Sequence, residues 1–306
     1  MPRSSAYGAF GAAGDGVTDD TQAFSKGWDA ACQAERSSVV FLVPDKYSFL
    51  AQSILFKGPC KSYLLFQLDG RIVAPNGPNK WSSRNGKSDW LDFYGIHGMT
   101  MQGGGLIDGR GEKWWNLSCT SKGSGCDHTP NALRFLKSSN LKPEHRWNSQ
   151  EACNNVEIHH SRISAGDDCI SLGDGRHDVD IMNVTCGPSL GISIGSLGRD
   201  KSEACAKNIT VRDSVIKQSD NGLRIKTWQG GSGAVSKINF NNIGMDKVQL
   251  HPAAAQGDGE LNLDPPFCWK AYGIIETRVT RPLRSCMMGE LPKNKFVLQQ
   301  DSNKRC

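Results

Sequence analysis

The 306-residue chain contains no uninterrupted apolar run approaching the ~20 residues a helix needs to cross a bilayer, so a membrane-spanning helix is excluded. It begins Met1-Pro2-Arg3-Ser4-Ser5, without the apolar stretch of a secretory leader. Charge of one sign is also scarce. Lys and Arg number 36 against 31 Asp and Glu, a net +5 that suits weak attraction to a polyanion but falls short of a nucleic-acid binder. Helical periodicity is rare along the chain. With 38% apolar and 22% charged residues and a mean hydropathy of −0.45, the chain can nevertheless bury a core and is not a disordered polymer. Its length is normal for one elongated or barrel-like domain.

Glycine, by contrast, is plentiful at 34 residues, and the tight turns this implies suit repetitive β-structure better than long helices. There are eleven cysteines, and Asn116, Asn183 and Asn208 head N-x-S/T sequons that make them glycosylation candidates. Together these features predict a secreted protein of the extracellular space or cell wall. The missing leader then reads as a mature or truncated chain or an incomplete gene model. The competing reading is a cytosolic protein with inert buried thiols. Because eleven is odd, at least one thiol is expected to be free or paired between chains.

Residues 15–32 form the one convincing helix pattern. Thr18 or Asp19 is expected to cap it, acids occupy its first turn, and Phe24, Trp28 and Ala31 recur at helical spacing. Short strand-like segments follow, among them Val39 to Val43, Tyr63 to Leu68, Ile72 to Ala74 and Ala132 to Leu136. From about residue 153 the strands repeat. Val156 and Ile158 are answered by Val179 and Ile181, then Ile209 and Val211, then Ile238 and Phe240. A second register runs Ile170 and Leu172, Ile192 and Ile194, Leu223 and Ile225. Two interleaved registers with one common step describe a ribbon returning to the same place each lap, a parallel β-solenoid. Its first coil needs a lid, and the helix is the candidate. Residues 1–250 are expected to form this single all-β domain, and 251–306 an irregular C-terminal segment.

Three groups recur in phase with the laps: Asp167 and Asp168 before CISLG, Ser189 and Leu190 before GISIGS, and Arg224 and Lys226 within NGLRIKTW. Equivalent positions on adjacent laps stack about 4.8 Å apart, so the carboxylates should approach the cations two laps on. Arg224 and Lys226 leave one strand face together, which suggests a held anion, a carboxylate or sulfate. Plainer readings exist. Asp-Asp beside glycine is commonly a turn, Arg-x-Lys commonly partners local acids, and Cys169 and Cys186 could be two buried thiols.

The strings GAAGDGVTDDTQAF (11–24), GPCKS (58–62), LDGRIVAP (68–75), GGGLIDGRGEKWW (103–115), GDDCISLGDG (166–175), VTCGPSLGISIGSLG (184–198) and NGLRIKTWQGGSG (221–233) closely resemble plant polygalacturonases of glycoside hydrolase family 28. The resemblance covers roughly residues 6–250. It implies a right-handed parallel β-helix that hydrolyses α-1,4-galacturonosyl bonds of pectin with inversion, in a wall or extracellular setting. By position, Asp167 matches the general acid, Asp168 a water-activating carboxylate, and Arg224 with Lys226 the clamp on substrate. Cys169 with Cys186 resembles a bridged pair, and Cys32 with Cys60 another. The sequence departs from the family pattern in several places, among them the odd stretch LKPEHRWNSQEA at 141–152 and the absence of the expected blocks after Val248. No Asn-Thr-Asp motif lies between Asn131 and Asp167, so at least one coil is missing, and Leu190 stands where the family's Gly-His-Gly motif has histidine.

Inverting hydrolysis needs an acid and a base ~6.5–9.5 Å apart with water between them. With one acid and the histidine absent, hydrolysis is expected to be impaired, the alternative being a catalytically inactive pectate-binding wall protein. A rhamnogalacturonan hydrolase is a weaker reading, as is a calcium-dependent lyase, since Asp167 and Asp168 alone are too few oxygen ligands. His159 and His160 point to opposite strand faces and cannot share one metal. The expectation is therefore no cofactor, no metal, no nucleic acid and no membrane, with an acidic polysaccharide as partner of a monomer.

Overall fold

The computed structural model describes residues 3–5, 9–81, 89–115, 130–143, 154–228, 231–248 and 296–298. The chain forms two compact units, residues 1–148 and 149–306. Both are built of parallel strands wound in laps, and the expected all-β, right-handed parallel β-helix with a helix at its N-terminal part is borne out.

In the first unit, strands β1 (Arg3–Ser5), β3 (Ser38–Val43), β6 (Tyr63–Leu68), β9 (His97–Gln102) and β12 (Ser139–Pro143) form one parallel sheet. A second holds β2 (Asp15–Asp19), β4 (Ser48–Leu50), β7 (Arg71–Val73) and β10 (Leu106–Asp108), and a third β5 (Ile54–Lys57), β8 (Asp89–Tyr94) and β11 (Asn131–Leu136). The sequence alternates because each lap turns one side inward. Phe56, Phe93 and Phe135 pair in register, and their rings stack at 4.5 and 4.7 Å between centroids. Identical in-register side chains on a solenoid can only stack, and here the core is an aromatic ladder.

Helix α1 (Thr21–Gln33) buries Phe24, Trp28 and Ala31 as the spacing predicted. Trp28 meets Phe56 edge-on at 4.9 Å and donates its indole N–H to the Lys57 carbonyl. The Cys32–Cys60 disulfide ties the helix end to the turn after β5. The helix starts later than expected, with Asp20 as N-cap rather than Thr18 or Asp19. The reason is local competition. The Asp15 carboxylate accepts the backbone N–H groups of Val17 and Thr18, and Asp19 accepts that of Thr21, so the acid-rich segment folds onto its own side chains and extends as β2. Asp20 itself accepts the N–H groups of Ala13 and Gly14 instead of capping its helix, and burial pushes its carboxyl above the usual range.

In the second unit the laps run β13 (Asn154–His159), β14 (Arg162–Ile163), β15 (Ile170–Leu172), then β16 (Arg176–Met182), β17 (Thr185–Cys186), β18 (Ile192–Leu197), then β19 (Glu203–Ser219), β20 (Leu223–Thr227) and β21 (Ser232–Val248). The pairing follows the sequence repeat residue for residue: Val156 to Val179 to Ile209 to Ile238, and Ile170 to Ile192 to Leu223. The ribbon bends at two columns of residues with positive φ: Asn155, Asp178, Asn208 and Lys237, and His160, Asn183, Asp213 and Asn242. Asn and Asp tolerate this left-handed conformation better than most residues. Their side chains also bond between laps, with Asn242 Nδ2 donating to Asp213 Oδ1 at 2.7 Å and Asn208 Nδ2 to Asp178 Oδ1. The sequons of Asn183 and Asn208 fall on these exposed bends, whereas Asn116 lies outside the described residues. Of residues 251–306, strand β22 (Phe296–Leu298) is described, and it pairs parallel with Gly233–Val235 of β21.

Candidate active site

The site is built by three successive laps of the second unit. Asp167 and Asp168 precede β15, Ser193 lies on β18, and Arg224 and Lys226 lie on β20. Ser193 pairs in register with Arg224. The turn carrying the two acids is fastened to the next lap by backbone bonds, from Leu190 N–H to the Asp167 carbonyl at 2.8 Å and from Cys169 N–H to the Gly191 carbonyl at 2.9 Å. The Cys169–Cys186 disulfide, buried at both ends, adds a covalent tie directly after Asp168.

Asp168 is the centre of the arrangement. Only 6% of its side chain is exposed. Arg224 Nη2 and Ser193 Oγ (2.9 Å) donate to its Oδ1, and Lys226 Nζ donates to its Oδ2. Ser193 Oγ in turn accepts from Arg224 Nε at 2.7 Å. Two cations face one carboxylate, so the cluster carries one surplus positive charge. The anion between Arg224 and Lys226 is therefore Asp168 of the chain itself, and the expectation of an external anion there is met first from within. The geometry bears out the reach across two laps for Asp168 but not for Asp167. That residue is exposed, and its Oδ1 accepts the Asp168 backbone N–H at 2.8 Å.

The long cations can lie back across the middle lap because that lap is thin. Gly191 and Gly195 have φ of +97° and +118°, and a Cβ on Gly195 would stand 2.2 Å from the Lys226 carbonyl oxygen. Leu190, in the lap beside Asp167, is half-buried and offers no proton or lone pair to a reacting group. Asn221 Nδ2 donates to its carbonyl at 3.2 Å.

Sequence reasoning missed Ser193, whose only signal was a small polar residue between Ile192 and Ile194. It also missed a buried charge group in the first unit, where Arg134 bridges Asp89 and Asp92, each at 2.7 Å. Burial pushes the Asp89 carboxyl upward, against the pull of Asn131 and Arg134. His159, considered as a metal ligand, instead meets Asp180, whose carboxyl is held low by the Arg212 guanidinium. No cluster of three or more His, Cys, Asp or Glu able to hold a metal is present among the described residues.

Residues 32–145 and 149–260 match the family model described as glycosyl hydrolases family 28, and the chain belongs to that family. It is 40% identical over 277 residues to a probable polygalacturonase of Arabidopsis thaliana, covering 79% of this chain and 62% of that protein. It is 39% identical over 275 residues to a polygalacturonase of Persea americana, covering 78% and 58%. The chain thus spans about 60% of the length of these curated relatives. Among solved structures, an exopolygalacturonase from Thermotoga maritima superposes with a TM-score of 0.54 at 15% identity, covering 80% of this chain and 75% of that one. That likeness speaks for the fold.

Proposed function

We propose that this protein is a pectin-directed glycosidase of polygalacturonase type, acting outside the cell on galacturonosyl chains of the wall. The observation that carries the reading is the Asp168–Ser193–Arg224–Lys226 cluster, with its surplus positive charge. Every sugar of polygalacturonate carries a carboxylate, and guanidinium and ammonium groups bind carboxylates by charge-assisted hydrogen bonds. Arg224 and Lys226 each retain donor hydrogens beyond those given to Asp168 and Ser193. The Cys32–Cys60 and Cys169–Cys186 disulfides accord with an oxidising compartment.

In this reading the reaction is inverting hydrolysis. Asp167, solvent-facing, protonates the leaving glycosidic oxygen, and Asp168 takes part in activating water on the opposite face of the sugar. Arg224 and Lys226 fix a uronate carboxylate so that the bond lies between the acids. A third acid and a histidine are lacking from the expected set, and each positioned acid or base contributes about 10²–10⁴ in rate. Hydrolysis of polygalacturonate should accordingly fall on the order of several hundredfold or more below that of an intact relative. A reducing-sugar assay on the purified protein tests this, and turnover within tenfold of an intact relative would refute the impairment.

The second reading, a pectate-binding protein without catalysis, is favoured by Leu190 beside Asp167 and by both oxygens of Asp168 being held by cations. Binding to de-esterified pectin that disappears in high salt and in Arg224→Ala, with no release of reducing ends, would select it.

A further inference from the structure

The middle lap of the site holds one functional group that neither reading uses. Ser193 is fully buried. Its hydroxyl gives its single proton to Asp168 Oδ1 and takes the Nε–H of Arg224 on a lone pair. The alternate positions on either side of it are Gly191 and Gly195, which bring no side chain to that face.

We propose that Ser193 is a positioning residue that sets how Arg224 is presented to a bound uronate. An arginine that reached Asp168 through Nη2 alone could pivot about that contact. Bonding at Nε fixes the guanidinium plane through a second edge, because the five donors form a rigid fork. Fixing the plane in this way also fixes the direction in which the remaining guanidinium donors face. The hydroxyl suits this task because it donates to the anion and accepts from the cation at once. Alanine could do neither, and a carboxylate would cancel the surplus charge of the cluster.

The assignment deepens the pectin reading and rests on it for the identity of the ligand, so the test has one arm without ligand. In the 15N-labelled protein, the Arg224 Nε–H, assigned by its disappearance in Arg224→Lys, should exchange with solvent far more slowly than surface arginines. Ser193→Ala should abolish that protection, Ser193→Thr should keep it, and the backbone amides of Ile192 and Ile194 should remain protected in both. In the second arm, trigalacturonate binding by calorimetry should weaken by about tenfold in Ser193→Ala and recover in Ser193→Thr, as expected for loss of a hydrogen bond to a charged group. A purely structural serine would lower the melting temperature without changing affinity in the folded protein. Unaltered Nε–H exchange in Ser193→Ala overturns the assignment, as does unaltered affinity where the native chain binds. Failure of the native chain to bind trigalacturonate defeats the pectin reading, and the ligand-free exchange then decides Ser193 by itself.

Discussion

Replacing Asp168 by asparagine removes one charge while keeping the shape of the side chain. The loss leaves Arg224 and Lys226, 15% and 12% exposed, facing each other without their shared counterion. Taking one partner from a buried pair costs about 3–5 kcal/mol. Asparagine retains the oxygen that accepts from Ser193 and Arg224, so the lower end applies, about 3 kcal/mol. For a unit of this size that corresponds to a fall in melting temperature of about 6–12 °C. The same change vacates the position of an anion between two cations. Trigalacturonate should therefore raise the melting temperature of Asp168→Asn by more than it raises that of the native protein. Scanning fluorimetry across a ligand titration measures both effects. A variant that melts within about 1 °C of the native protein, or one that gains less from the ligand, would show that Asp168 is not the internal occupant of the cationic pair.

Other consequences concern stability. Removing the Cys169–Cys186 disulfide by paired alanine substitutions opens a 17-residue separation and should cost about 3 kcal/mol in urea unfolding. Trp28→Ala should cost about 3–5 kcal/mol, because the indole fills the space between Phe41, Phe56 and Phe93 and bonds the Lys57 carbonyl. A loss below about 1 kcal/mol would mean that the helix is not integral to the first coils. Asp180 is held below the ordinary carboxyl value of ~3.9, chiefly by the Arg212 guanidinium, so its stabilisation is present above that pH and is lost as pH falls through the lowered value. The stability gap between the native protein and Asp180→Asn should shrink as pH falls below about 4. A gap that persisted undiminished into strong acid would contradict the geometry.

Much of this was legible in the residues because a solenoid writes its fold along the chain. Each lap must bury the same face, so Val156, Val179, Ile209 and Ile238 had to recur once per lap, and their pairing follows that recurrence. The helix was equally readable from Phe24, Trp28 and Ala31, but its start was not. Whether Asp15 and Asp19 cap a helix or fold their own backbone is a contest between hydrogen bonds of similar strength, and periodicity does not report on it.

Sequence alone thus determined the winding, the register and the two-residue spacing that sends Arg224 and Lys226 out of one face, all consequences of strand geometry. Tertiary structure decided who meets whom across the laps. It brought Asp168 rather than Asp167 between the cations, joined them through Ser193, and left Leu190 beside the exposed acid. Such contacts depend on side chains reaching sideways between laps some 30 residues apart, over a middle strand thin enough to let them pass, and no local pattern in the chain says which of the two acids makes that reach.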